Sequence, residues 1–193
     1  GVGFQPDFLW LKRRDSSANW FVGHDSLGWT KYLYLNTNGA LADYADHWND
    51  TEPTSSLITL GTDTSVNGSG VANIIYAFTE KTGYSKFGSY RGNGSADGAF
   101  VYTGFRPQWI LIKPISGTAN WQIHDTHRDG YNVKNDNLAP NNDAAEADNQ
   151  FMDILSNGFK LRSATYSASS TTYIYMAFGQ SLVGSNQVPC TAR

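Results

Sequence analysis

The sequence is poor in cysteine, in basic residues and in long apolar runs, and each shortage excludes a class of protein. The single cysteine, Cys190, excludes an internal disulfide framework. Lysine and arginine together number 14, and their largest cluster is Lys12-Arg13-Arg14. The broad basic surface of a nucleic-acid-binding protein is therefore missing. No apolar run approaches the roughly 18 residues that cross a membrane. We expect neither nucleic-acid binding nor membrane insertion.

Paired carboxylates, which a glycosidase mechanism needs, are also scarce. The three glutamates, Glu52, Glu80 and Glu146, form no recognisable pair. Histidine and aspartate are adjacent at His24-Asp25 and at His124-Asp125, but neighbours on a strand point to opposite faces and cannot form a catalytic dyad directly. The sequence predicts no catalytic residue and no enzymatic activity, and a requirement of the fold explains the two histidines better.

Aromatic side chains and glycine are abundant. Aromatic residues make up 14% of the chain, glycine occurs 19 times, and charged residues make up only 16%, where an ordinary domain has about 25%. Low charge with many Tyr, Trp, Asn and Thr residues is typical of secreted and viral surface β-proteins. The composition disfavours a cytosolic helical enzyme.

The chain also contains an internal repeat. Four blocks recur in the same order at a spacing of 100 or 101 residues: 3–12 (GFQPDFLWLK) with 104–113 (GFRPQWILIK), 18–20 with 119–121 (ANW), 24–25 with 124–125 (HD, after a slip of one residue), and 74–78 (IIYAF) with 174–178 (IYMAF). Between the third and the fourth block the two copies no longer match. These repeats predict two tandem copies of a unit of roughly 90 to 100 residues.

Short apolar stretches separated by turn residues predict strands in both copies. We therefore predict an all-β fold of two tandem β-sandwich units, jelly-roll or lectin-like, packed side by side with pseudo-symmetry. The first unit would span residues 1–87, the second 88–184, and residues 185–193 would form a C-terminal tail. A single concanavalin-like sandwich built from both copies is the alternative. A short helix is predicted in the alanine-containing segment 144–155.

One strand of the second copy has no counterpart in the first. Residues 88–102 precede the second copy and hold a Gly-rich turn between two strand-like pieces, whereas the first copy starts at Gly1 without such a segment. A unit that lacks its first strand has an open sheet edge, which invites pairing. We expect that upstream sequence has been removed or that another chain supplies this strand.

Several motifs together resemble a known family. They are Gly3–Arg13, Trp20–Gly28, Leu57–Gly70, Ile75–Phe78, Gly92–Lys113 and the closing Val183–Arg193. This pattern resembles the repeat found in tail-fibre-like and other structural proteins of marine tailed phages, especially cyanophages. The chain departs from it at Gln108 and Pro114, where the family more often has acidic and Asn or basic residues. The resemblance implies a virion surface protein and supplies no catalytic residues.

The resemblance favours a tail-fibre or receptor-binding adhesin that presents its loops to a host surface glycan. The usual assembly of phage fibres suggests a homo-oligomer, and we expect a trimer. It would contact other virion proteins on a tail fibre or on the capsid exterior. Multivalent weak binding would then supply avidity. The alternative is a capsid decoration or stabilising protein without a ligand.

Four aromatic residues lie in the less repeated, loop-like parts beside Asn and Asp: Trp29, Tyr44, Trp48 and Tyr131. Exposed rings next to amides and carboxylates are what sugar-binding sites use, so these four are the candidate ligand-binding residues. The alternative is that they anchor their loops onto the sandwich. The tryptophans of the repeated strands are expected in the core.

Asp63, Ser65 and Asn67, followed by Gly68, resemble the start of a calcium loop. Oxygen ligands at alternate positions and a glycine at the sharp turn suit a hard cation. The bidentate acid expected later in the EF-hand pattern is replaced by Ile74, and a hairpin loop is the alternative. No other cofactor is expected.

Overall fold

A computed structural model gives the fold of residues 2–128 and 132–180. Tyr131 and the expected tail 185–193 lie outside these described residues. The strands are β1 (Phe8–Arg13), β2 (Trp20–His24), β3 (Lys31–Tyr34), β4 (Ala42–Asp43), β5 (Asn73–Phe78), β6 (Ser85–Arg91), β7 (Phe100–Tyr102), β8 (Pro107–Pro114), β9 (Gln122–Asp125), β10 (Lys134–Asn137), β11 (Ala147–Leu155), β12 (Gly158–Leu161) and β13 (Thr172–Gly179). The helices are α1 (Ala45–Trp48), α2 (Thr64–Asn67) and two single 3-10 turns (Asp25–Leu27 and Thr165–Ser167).

The strands form three antiparallel sheets, so the all-β prediction is confirmed. Sheet 1 has the order β4-β3-β2-β1-β5, sheet 2 the order β6-β13-β8-β9, and sheet 3 the order β10-β11-β12-β7. No helix among residues 2–128 and 132–180 has the length and apolar character needed to cross a membrane.

The described residues form three hydrophobic clusters against the faces of these sheets, because successive side chains on a strand point to opposite faces. The shared core lies between sheets 1 and 2 and includes Phe8, Val22, Leu33, Leu111, Ile174 and Met176. The distal core lies between sheets 2 and 3 and includes Ile110, Ile112, Met152, Ile154 and Phe159. The helical-side core covers the other face of sheet 1 and includes Leu9, Leu11, Trp29, Trp48 and Val66. Sheet 2 is thus buried on both faces.

The strand pairings of the two halves share one register. β1 lies between β2 and β5, and β8 lies between β9 and β13. Leu11 pairs with Ile75, and Ile112 pairs with Tyr175, which places the partners 101 and 100 residues further along the chain. The repeat stays a prediction from the sequence, and these matching registers support it.

The packing of the halves differs from the predicted side-by-side arrangement. Sheets 1 and 2 are stacked face to face, and both halves contribute to the shared core, which is the kind of packing that the alternative prediction described. The predicted boundary between residues 87 and 88 falls within β6.

The helix predicted over 144–155 is wrong, because β11 occupies Ala147–Leu155. Met152 and Ile154 alternate into the distal core and pair with Leu161 and Phe159. Pairing with β12 therefore outweighs the helix propensity of the alanines.

Candidate functional site at the free edge of β5

β5 ends sheet 1, and alternate residues of β5 direct their backbone groups away from β1. The amide of Arg14 donates to the carbonyl oxygen of Ala72 at 2.8 Å, so even-numbered residues bond to β1. Antiparallel ladders alternate, and the N–H and C=O groups of Asn73, Ile75 and Ala77 therefore point outward. Among the described residues, no strand pairs with this edge.

The corresponding edge of β13 is occupied by β6. The amide of Gly92 donates to the carbonyl oxygen of Thr171 at 2.9 Å, and that of Gly179 donates to Tyr84 at 2.7 Å. Odd-numbered residues of β13 thus bond to β6. The residues of β5 that lie 100 positions earlier in the sequence are those whose backbone N–H and C=O groups pair with no strand among the described residues.

The side chains of β5 are more exposed than their counterparts on β13. Tyr76 is 43% exposed, whereas Met176 is 1% exposed. Ile74 and Ala77 are partly buried, whereas Ile174 and Ala177 are fully buried. The edge of sheet 1 thus leaves apolar surface in contact with solvent that is covered in sheet 2.

Nothing in β5 itself blocks pairing. Natural edge strands are usually protected by charged side chains, proline, bulges or shortness. The sequence NIIYAF (Asn73–Phe78) has neither charge nor proline, and its register with β1 is unbroken over six residues. Such an edge is suited to accept another strand.

A second exposed apolar surface borders the helical-side core. Val2 and Leu57 are exposed, and they line an open cavity of about 330 Å³ together with Thr54, Ser56 and Ile58. Ile58 and Ile75 both pack against the helical-side core. The edge and the cavity border the same layer of the fold.

The aromatic residues predicted to bind ligand differ in their exposure to solvent. Trp48 is 1% exposed and Trp29 is also buried, with their rings perpendicular and 6.0 Å apart. The expectation that these tryptophans are exposed is wrong, because both are needed to cover the Leu9 and Leu11 face of sheet 1. Tyr44 is 51% exposed, and Tyr131 lies outside the described residues.

The segment predicted as a calcium loop is the helix α2. Asp63 is its N-cap, and the carboxylate Oδ1 accepts a hydrogen bond from the amide of Ser65 at 2.7 Å. Asn67 Nδ2 donates to the carbonyl oxygen of Gly61 at 3.0 Å. Residues two apart on a helix point to different sides, so Ser65 and Asn67 do not converge on one point. No group of three or more His, Cys, Asp or Glu side chains within 2–128 and 132–180 could hold a metal ion.

We expect Asp63→Ala to lower the free energy of unfolding by about 1 kcal/mol, because the cap hydrogen bond is lost. The loss should be the same in calcium and in EDTA, measured by urea unfolding. Asp63→Asn is the matched control, since asparagine caps a helix equally well without the negative charge. A calcium-dependent rise in Tm of the parent protein that Asp63→Asn abolishes would instead establish a metal site.

A charged network on sheet 3 escaped the sequence analysis. Asp97 Oδ1 lies 3.0 Å from Lys160 Nζ and 3.0 Å from Arg162 Nη1, and Arg162 Nε lies 2.6 Å from Asp153 Oδ2. The hydrogen bond from Lys160 lowers the pKa of Asp97. The exposed rings of Phe100 and Tyr102 on the same sheet could have been predicted from the alternation Phe100-Val101-Tyr102. The buried Val101 leaves the two rings on the solvent face.

His24 and His124 are buried and neutral. His24 Nδ1 accepts from the amide of Ser26 at 3.0 Å, so Nε2 carries the proton toward the carbonyl oxygen of Tyr175 at 3.2 Å. Burial lowers the pKa of His24 to about 4. Burial also lowers the pKa of His124 to about 4, and Arg128 contributes in the same direction.

The two histidines are not at equivalent places, contrary to the expectation from the sequence. His24 pairs with Phe8 of the shared core, whereas His124 pairs with Ile110 of the distal core. They therefore point to opposite faces. The slip of one residue that aligned them in the sequence has no counterpart in the strand register.

A comparison with protein families finds a match over residues 1–181 to a family described as a domain of unknown function (DUF7483). No curated protein matches the chain, and no solved structure does.

Proposed function

The chain belongs to the DUF7483 family, and we propose that it is a structural module of a phage virion surface, in a tail fibre or on the capsid exterior. In this role it has no enzymatic activity and assembles with other virion proteins through its sheet edges. The resemblance of Gly3–Arg13 and Gly92–Lys113 to phage structural repeats supports the virion setting.

The unprotected edge of β5 is the observation that carries the proposal. Three successive outward ladder positions beside the exposed ring of Tyr76 favour a protein that is completed by a partner segment. The burial of Trp29 and Trp48 also favours this structural role, since it withdraws two of the four rings expected to contact a glycan.

A receptor-binding adhesin is the second candidate, favoured by the exposed Phe100 and Tyr102 of β7, since Phe100 pairs with Lys160 of the charged network. Rings next to charged and amide groups can hold a sugar. In this case glycan contact would lie on β7 rather than at the loop tryptophans.

The proposal is tested on purified particles of a phage that encodes this chain. We expect an antibody raised against the purified protein to label the particles in electron microscopy. We also expect saturating soluble protein, added to host cells before phage, to leave the rate of adsorption unchanged. Unlabelled particles from lysates that contain the protein would overturn the virion role, and dose-dependent blocking of adsorption would replace the structural role by the adhesin.

A further inference from the structure

We propose that the free edge of β5 is a strand-acceptor site, and that its occupant is an extended segment of the β6 type supplied by a neighbouring protein chain. The segment would carry a phenylalanine at the position equivalent to Phe87. This inference rests on the proposed structural role and gives it a partner segment. The test described below measures strand pairing alone. The strand-acceptor inference can therefore fail while antibody labelling of the virion succeeds, and it can hold while labelling fails.

The register of the incoming strand follows from the pairing of β6 with β13. Tyr173, Tyr175 and Ala177 pair with Tyr90, Gly88 and Lys86. A shift by 100 residues turns the acceptor positions into Asn73, Ile75 and Ala77, which are the outward-facing residues of β5. An added antiparallel strand would therefore find its hydrogen-bonding partners in place.

The side chains of β6 show what the incoming strand would cover. Phe87 pairs with Met176, so the equivalent phenylalanine would lie opposite Tyr76, the exposed ring of β5. The ring centroid of Phe87 in sheet 2 lies 5.8 Å from that of Phe8 and 6.4 Å from that of Phe78.

The opposite corner of the shared core lacks such a cover among the described residues. Phe8 is fully buried, whereas Trp109, which stands 101 residues later, is only partly buried. Trp109 and Phe178 have their rings 5.9 Å apart. The phenylalanine of an incoming strand would extend the shared core at this corner, as Phe87 does at the other.

Tyr175 explains why residue 88 of β6 is a glycine. A Cβ added at Gly88 would lie 2.9 Å from the hydroxyl oxygen of Tyr175 and 3.0 Å from its ring, so this ring lies across the backbone of β6. Its counterpart on β5 is the shorter Ile75. The acceptor edge thus has room for the backbone of a β6-type strand.

The test uses the intact protein and a labelled synthetic peptide with the sequence of residues 84–92. We expect saturable binding in fluorescence anisotropy. In hydrogen exchange followed by NMR, bound peptide should slow the amides of Ile75 and Ala77. It should leave those of Ile74 and Tyr76, which already face β1, unchanged.

Two N-methylated peptides are the matched controls, and they leave the protein untouched. In β6 the even-numbered residues face the acceptor strand, so N-methylation at the position of Gly88 should weaken binding by about tenfold or more, because it removes a ladder hydrogen bond and blocks the edge. N-methylation at the position of Ser89, which faces away, should leave binding within about twofold of the parent peptide.

Three results would overturn the inference. The first is no saturable binding at millimolar peptide by protein with a native spectrum. The second is equal loss of binding for both methylated peptides. The third is protection of Ile75 and Ala77 that grows with protein concentration in the absence of peptide, because the occupant would then be the same edge of a second copy.

Discussion

Replacing Trp48 by alanine is expected to lower the free energy of unfolding by about 3–5 kcal/mol, the range for loss of a large buried aromatic side chain. Trp48 is 1% exposed in the helical-side core. Its ring meets that of Trp29 edge to face, and both rings lie over Gly23, where an added Cβ would be 3.1 Å from Trp48. Alanine would leave a cavity that these rigid neighbours fill poorly. Urea unfolding followed by circular dichroism measures the loss.

Tyr44→Ala is the matched control for this prediction. Tyr44 belongs to the same set of predicted ligand-binding aromatics, lies just before α1 and is 51% exposed. Its removal should cost less than about 1 kcal/mol. A Trp48→Ala protein that unfolds at nearly the parent urea concentration would contradict the burial of this ring and reopen its role in binding.

Trp48 shows why the sequence could not separate a core ring from a binding ring. It ends α1, a helix of only four residues, and is followed by Asn49 in the left-handed region at φ 51°. No hydrophobic periodicity can develop over so few residues. The burial is tertiary, because the Leu9 and Leu11 face of sheet 1 needs a cover.

The two halves supply this cover in different ways, which explains why the repeat fades in its middle. The equivalent face of sheet 2, with Ile110 and Ile112, is covered by sheet 3. The first half uses α1, α2 and irregular chain instead. The sequences match where the strands of sheets 1 and 2 pair, and they diverge where different elements pack on them.

The features set by local pattern could be predicted, and those set by packing could not. The repeated apolar stretches predicted β1, β5, β8 and β13. The Asp63 segment forms the short helix α2, with the Asp63 carboxylate as its N-cap. Alternating oxygen-bearing residues do not distinguish such a helix from a calcium loop.

Acidification from pH 6.5 to pH 4 is expected to remove several kcal/mol of stability. The folded-state pKa values of His24 and His124 are lowered to about 4, whereas unfolded histidine has a pKa of about 6.5. Between these values the unfolded chain binds more protons than the folded chain, so stability falls as the pH falls. The stabilising effect of each neutral histidine is fully present above pH 6.5 and is lost on the way to pH 4.

The magnitude follows from the width of this window. A shift of this size corresponds to roughly 3 kcal/mol for each histidine. Burial lowers the pKa of His47 too and adds in the same direction. Lys113, whose pKa burial lowers to about 8, titrates above the window and leaves the slope unchanged. Since a domain has a total stability of about 5–15 kcal/mol, this loss can unfold the protein.

The free energy of unfolding should therefore be measured in urea at several pH values between 7.5 and 4, with His24→Gln as the comparison. Glutamine can donate from Nε2 to the carbonyl oxygen of Tyr175, as His24 does, but it does not titrate. It should make the pH dependence shallower by roughly 3 kcal/mol across the window, even if stability at pH 7.5 is somewhat lower. A parent protein with constant stability from pH 6.5 to 4.5 would contradict the neutral, buried state of both imidazoles. An unchanged slope in His24→Gln would show that His24 is not a source of the acid sensitivity.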